Sequence, residues 1–358
     1  MKYSNAVRYW LFFGLFLVFM QIVIGGITRL TGSGLSITEW DIVFGTFPPF
    51  GEEDWINEFN KYQMTPQYQK INQGMSMSEF KFIYFWEYFH RLWARMMGFA
   101  FIIPFVVFWL FEMVDKTISK KLSVVILFAG LAAIFGWIMV ASGLIERPWV
   151  NAYKLSIHLS IGISVFLSLL WVILSSFYQD GWKRVFVSTS IWKKAFLFLF
   201  VLLCIQIVFG GIVSGMRAAL TFATWPDMNG ALIPDVLLNS VNWKFQNLIE
   251  YDKSVFAPAL AQFIHRNLAY AITILSSVLF YRFLKDGSHS EFRSLVFAFC
   301  SLLLVQVVLG ILTLMNSIGN IPVGLGVMHQ GVGVLLLGSL FILLYAYSTS
   351  LKHDGDII

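Results

Sequence analysis

Charge is scarce in this sequence. Only 13% of its 358 residues are Asp, Glu, Lys or Arg, about half of what a soluble domain carries, and that shortage excludes a water-soluble globular protein. The 25 Lys and Arg nearly balance the 20 Asp and Glu. They gather in short connections rather than along one face, so nucleic acid is excluded as a partner. Cysteine is rarer still. Cys204 and Cys300 are the two, and both fall within apolar runs, which rules out a loop disulfide and a thiolate metal cluster. A cleavable leader is also missing: the first apolar run has little basic n-region and no small-residue cleavage site, so it reads as a true span.

What the chain has is hydrocarbon. Hydrophobic residues make up 58% and mean hydropathy is +0.73. Crossing a bilayer takes about 20 apolar residues, and eight windows meet that length: 10–28, 82–111, 122–144, 154–178, 195–214, 257–281, 294–315 and 322–347. The fold class is an all-α polytopic membrane protein. Lys and Arg concentrate at 1–9, 112–121, 179–194, 282–293 and 348–358. The positive-inside rule then places both termini in the cytoplasm, or the matrix if the chain is mitochondrial, with loops 29–81 and 215–256 outside.

The chain repeats itself. "MQIVIGGIT" at 20–28 returns as "IQIVFGGIV" at 205–213, pairing Gln21 with Gln206 and Gly25-Gly26 with Gly210-Gly211. Trp40 falls on Trp225 and Pro49 on Pro234 at the same offset, and "EYFHR" (87–91) meets "QFIHR" (262–266). Gln306 and Gly310 repeat the Gln-x-x-x-Gly pattern again. The expectation is two pseudo-symmetric four-helix bundles, residues 1–185 and 186–358, joined by the basic segment 179–194. The glycines read as points of close helix approach and the glutamines as hydrogen bonds between helices, both ordinary in lipid.

Six histidines divide into two groups. His289 and His353 lie in inner connections and read as solvated. His90, His158, His265 and His329 each occupy a different even-numbered span, near its outer end. Two imidazoles from two helices of one bundle suit bis-histidine ligation of a haem, whereas zinc and copper want a fuller cluster of ligands. The halves differ three residues before the first ligand of each, where Glu87 stands opposite Gln262. A carboxylate can take a proton or stabilise a developing cation, and an amide does neither well. The first half therefore reads as the reacting one, and an ion pair with Arg91 one turn on is the alternative account of Glu87. Arg91 and Arg266 are candidates to meet haem propionates, as are Arg29, Arg147 and Arg217 at the outer surface, because guanidinium binds carboxylate through two hydrogen bonds.

With these features in hand, the sequence resembles the heme A synthase family over nearly its whole length. The resemblance rests on "GGITRLTGSGLSITEWDIVFGTFPP" (25–49), "EFKFIYFWEYFHRLWARMMG" (79–98), "GWIMVASGL" (136–144), "SGMRAALTFATWPDMNG" (214–230), "QFIHRNLAY" (262–270) and the segment around His329. It implies oxidation of a ring methyl of heme O to a formyl group, with water as the oxygen source, giving heme A for terminal oxidases. It further implies heme O as substrate at His90 and His158 with Glu87 at the reacting methyl, and haem b as cofactor between His265 and His329. A heme O synthase, terminal-oxidase assembly, the lipid bilayer and an unidentified electron acceptor are the implied partners, and the bacterial cytoplasmic membrane or mitochondrial inner membrane the implied location. Some relatives carry cysteine pairs in the outer loops. This chain has none and a long first loop, as in the mitochondrial and alphaproteobacterial branch. Tyr270 replaces Arg95 in the second half, which points to different anchoring of the two haems. Two other classes compete with this reading: a diheme cytochrome that oxidises a quinol, and a haem transporter.

Overall fold

The structure is a computed structural model that describes residues 3–39, 46–145, 147–177, 190–287 and 290–350. Trp40, His289, His353 and the connection 178–189, where the expected boundary between the halves falls, lie outside the described residues. Eight helices are long and apolar enough to cross a membrane: α1 (Asn5–Leu30), α2 (Met77–Leu110), α3 (Lys116–Gly143), α4 (Ala152–Phe177), α5 (Ile191–Gly215), α6 (Phe256–Lys285), α7 (Arg293–Met315) and α8 (Val323–Ser350). They are the eight windows seen in the sequence, several of them longer by a turn. The extra turns belong to polar caps that a hydropathy window discounts. Ser4 Oγ accepts from the Val7 N–H, Asp115 from the Ile118 N–H, and Ser76 and Glu79 close a capping box at the start of α2. Each such cap satisfies N–H groups that the first helical turn leaves orphaned. Short helices at Glu52–Gln63 and Pro66–Lys70 build the first long outer loop.

Helix packing follows the repeat. In the first half α1 packs on α2, α3 on α4 and α1 on α4; in the second, α5 packs on α6, α7 on α8 and α5 on α8. The halves meet through α4 on α5 and α1 on α8, the same contact made twice by exchanged partners. One contact breaks the symmetry. α6 packs against α7, and α2 and α3 do not match that approach.

The core is densest toward the helix ends that lie on the side of the N-terminus. Ile163, Phe166, Leu169 and Ile173 of α4 and Val334, Leu337, Leu340 and Leu344 of α8 are buried there. They join Phe196, Phe280, Phe283 and Phe299 in one cluster. Close packing of this kind holds those ends together. Toward the opposite ends, residues 153–162 of α4 and 323–333 of α8 are mostly half-buried. The histidines sit in this looser layer. Outward-facing side chains such as Phe99, Ile103 and Leu127 are exposed, as a lipid-contacting surface requires.

Candidate functional site

Every intramembrane histidine rests against a glycine of the helix before it. A Cβ added at Gly136 would stand 3.0 Å from Cε1 of His158, one at Gly210 3.1 Å from Cε1 of His265, and one at Gly310 2.9 Å from Cε1 of His329. At Gly25 the contact is 3.1 Å to Nε2 of His90, whose ring is turned over relative to the other three. Carbon atoms rest at about 3.5–4.0 Å, so any side chain at these four positions would push an imidazole. Close helix approach was expected at Gly25, Gly210 and Gly310, and the part of the adjoining helix that each meets is the histidine ring. Gly211 keeps the original role, its Cβ position lying 3.0 Å from the Ser156 Cα. The signal was in the sequence, as three glycines sit four residues after a glutamine, and Gly136 escaped because Ala132 takes that place.

The second pair is held in a defined state. His265 Nδ1 lies 3.2 Å from the Gln206 carbonyl, and His329 Nδ1 lies 3.2 Å from the Gln306 carbonyl. A carbonyl only accepts, so Nδ1 carries the proton and Nε2 the lone pair, the tautomer a metal ligand needs. Each lone pair receives a long bond, 3.4 Å, from the glutamine Nε2 of the preceding helix. The two rings stand 6.5 Å apart between centroids and 81° apart in plane. With metal–imidazole bonds of about 2 Å and roughly 1 Å more to each ring centre, one iron separates two rings by about 6 Å. The donor set and ring spacing of the second half thus fit a bis-histidine haem.

The first pair is held less evenly: His158 lies by the Ala132 backbone, as the second pair lies by the Gln206 and Gln306 carbonyls, while among the described residues no hydrogen bond fixes a ring nitrogen of His90. Gln21 reaches only the His90 carbonyl, at 3.3 Å. Two cavities open beside Arg91, the neighbour of His90, under the loop between α1 and α2. One, of about 100 Å³, lies between Arg91 and the α3 residues Trp137, Val140, Ala141 and Leu144. The other, of about 240 Å³, is lined by Glu39, Asp54, Glu58, Arg91 and Arg95. A substrate that must come and go needs such access, and a resident cofactor does not.

Glu87 and Gln262 perform related tasks with opposite polarity. Glu87, 3% exposed, accepts at Oε2 from the Ser36 N–H at 2.7 Å, the Ser36 hydroxyl at 2.8 Å and the Ile37 N–H at 2.9 Å. Its Oε1 pairs with Arg91 at 2.6 Å. Gln262 instead donates to the Phe222 carbonyl at 2.9 Å. Position 222 is the repeat counterpart of 37, so the loop offers N–H groups to the carboxylate in one half and a carbonyl to the amide in the other. The Glu87–Arg91 ion pair is therefore present, within a wider network that docks the outer loop. Gln262 Oε1 is buried without a hydrogen-bond partner.

The arginines are mostly engaged with the protein. Arg91 also donates to the Glu39 and Ile37 carbonyls, at 3.1 and 3.3 Å. Arg266 donates to the Asp227 and Phe222 carbonyls, at 2.6 and 2.9 Å. Arg29 crosses between the halves to the Ser214 carbonyl at 2.7 Å, and Arg147 pairs with Asp252 at 2.7 Å. Arg217 stacks over the Trp149 ring, and burial lowers its pKa from the usual guanidinium value. The Thr224 hydroxyl and the Gly230 N–H hold the Asp227 carboxyl below its usual range. Two of the guanidinium groups, Arg91 and Arg266, thus serve first as clasps on the loops that roof the two pairs.

Eight spans, an internal repeat and two pairs of imidazoles on facing helices define a polytopic membrane protein of haem-binding type. The chain belongs to the COX15-CtaA family, described as cytochrome oxidase assembly protein, whose model matches residues 8–341. It is 36% identical to the heme A synthase of Flavobacterium psychrophilum over 97% of this chain and 100% of that one. Identity is 37% to the heme A synthase of the Wolbachia of Brugia malayi, over 94% and 96%. To that of Brucella ovis it is 38%, over 93% and 89%.

Proposed function

We propose that the protein is a membrane oxidoreductase that converts heme O to heme A for a terminal oxidase. The observation that carries this reading is the unequal pair of imidazole sites under matched roofs. One is pre-organised and faced by Gln262; the other is held less evenly, open beside Arg91 and faced by Glu87. The family relationship agrees with it. His265 and His329 would hold haem b, and His90 and His158 would take the iron of heme O, the substrate. Bound there, haem b supplies a one-electron redox centre.

The balance of the reaction sets what the first half must manage. A methyl group becomes a formyl group by taking up one water and releasing four electrons and four protons, the electrons passing to an acceptor whose identity stays open. Positive charge builds on the substrate as electrons leave. Glu87 is fixed by four donors, so it cannot swing out to collect a proton. A carboxylate so fixed stabilises developing cationic charge from one position at no cost of reorganisation. Arg91 in turn holds Glu87 and the loop in register. The half-open cleft between α2 and α3 admits a lipophilic substrate from the bilayer and water from the outer surface. Both termini then face the cytoplasm, and the haem sites the outer leaflet of the bacterial cytoplasmic membrane, or of the mitochondrial inner membrane in a eukaryote.

The test is chemical. Cells that make heme O and express this protein are extracted, and the pigments are separated by chromatography and weighed by mass spectrometry. Heme A is expected. Heme O alone, with the protein folded and holding haem b, would refute the assignment and favour an electron-transfer cytochrome.

A further inference from the structure

The two sites share walls, and the Gly-Gly pair of each repeat makes this so. Gly25 faces His90; at Gly26, the next residue, a Cβ would stand 3.0 Å from Nε2 of Gln330, the neighbour of His329. In the other repeat Gly210 faces His265, and at Gly211 a Cβ would stand 2.9 Å from Oγ of Ser156, two residues before His158. Helices α1 and α5 therefore each lie against one histidine of their own half and against the histidine-bearing helix of the other.

Hydrogen bonds run along the same two lines. Gln330 donates to the Ile22 carbonyl of α1 at 2.7 Å, and Gln21, beside Ile22, donates to the His90 carbonyl at 3.3 Å. Ser156 donates to the Val208 carbonyl of α5 at 2.7 Å, and Gln206, two residues earlier, donates to the His265 carbonyl at 3.0 Å. One line joins His329 to His90, the other His158 to His265. Each crosses from one half to the other through a single side chain, Gln330 or Ser156. Both side chains donate to backbone carbonyls rather than to a histidine ring, so neither is needed to hold iron.

We propose that Gln330 and Ser156 are positioning residues that couple the two haem sites, so that the oxidation state of iron at one changes the affinity of the other. The proposal rests on the haem assignments above. Coupling of this kind travels through contiguous packed and hydrogen-bonded elements, and α1 and α5 are the helices that touch both sites. His329 and His265 would hold the haem of the second site, and the Gln330 bond to the Ile22 carbonyl would link any change in the seating of His329 to the α1 wall behind His90.

The experiment uses purified protein carrying haem b, with zinc-substituted heme O as a fluorescent, redox-inert probe of the first site. Its dissociation constant is measured with haem b oxidised and with haem b reduced. Linked sites typically differ by about fivefold or more, and that ratio is expected for the unaltered protein. It should fall below roughly twofold in Gln330→Leu and in Ser156→Ala, with haem b content retained. Ser156→Ala removes one hydroxyl and favours the helix, so it reports even if the bulkier change disturbs folding. A ratio in both variants equal to that of the unaltered protein overturns the proposal, as does a ratio near one in the unaltered protein. Failure of the underlying assignment looks different and overturns both: no bis-histidine haem b spectrum, or probe binding that His90→Ala leaves intact.

Discussion

Gly310→Ala adds a single methyl group where the structure has no room for one. The new Cβ would lie 2.9 Å from Cε1 and 3.4 Å from Nδ1 of His329. Carbon–carbon contacts relax at about 3.5–4.0 Å, so the ring must recede by roughly 0.6 Å or more. It has little freedom to do so: its Nδ1 is already 3.2 Å from the Gln306 carbonyl, near the long end of a good hydrogen bond. Ligand sites tolerate displacements of about 0.5 Å, and loss of a supporting contact typically weakens metal binding about 10–100-fold. Affinity for haem b should fall in that range. The helix itself should gain, since alanine is favoured over glycine by about 1 kcal/mol in a helix interior. The assay is haem content after purification and the rate of haem transfer to apomyoglobin. Gly98→Ala is the control, because a Cβ there meets nothing within 4 Å. If Gly310→Ala keeps its haem as long as Gly98→Ala does, the seating argument is wrong.

His265→Ala and His329→Ala should each strip low-spin haem b from the purified protein, and a full bis-histidine spectrum in both would rule this pair out. Glu87→Gln should keep haem in both halves and lower heme A formation by about 10²–10⁴-fold, with heme O or the intermediate alcohol accumulating. In that variant an amide faces both the Arg91 guanidinium and the loop N–H groups, so near-normal heme A output would reduce Glu87 to a loop clasp, and loss of folded protein would make it structural. A reporter fused after Ile358 should read cytoplasm; a signal from the outer side would invert the topology and place the haems at the opposite face.

The sequence by itself determined the class of molecule and singled out four histidines and Glu87 as candidates. Eight apolar runs can satisfy their backbone in lipid only as helices, so length and hydropathy were enough to place them, and only their capped ends were missed. The repeat and the four histidines at matching depth were legible because a residue costly in hydrocarbon stands out there. The tertiary structure decided what surrounds them. Glycine carries no side chain to announce a neighbour, so its sequence could not say whether Gly310 meets a helix backbone or the ring of His329. Glu87 was read as a reacting carboxylate or an ion-pair partner of Arg91, and the loop residues Ser36 and Ile37, some fifty positions away, turn out to hold it as well. Arg91 and Arg266 looked available to propionates and are clasps on the loops above, because guanidinium meets a carbonyl as readily as a carboxylate. The pairing of His265 with His329, and the contact of Gln330 with Ile22, join residues from distant spans. Such partners depend on how helices cross, and that is set by packing over the whole bundle rather than by any local pattern.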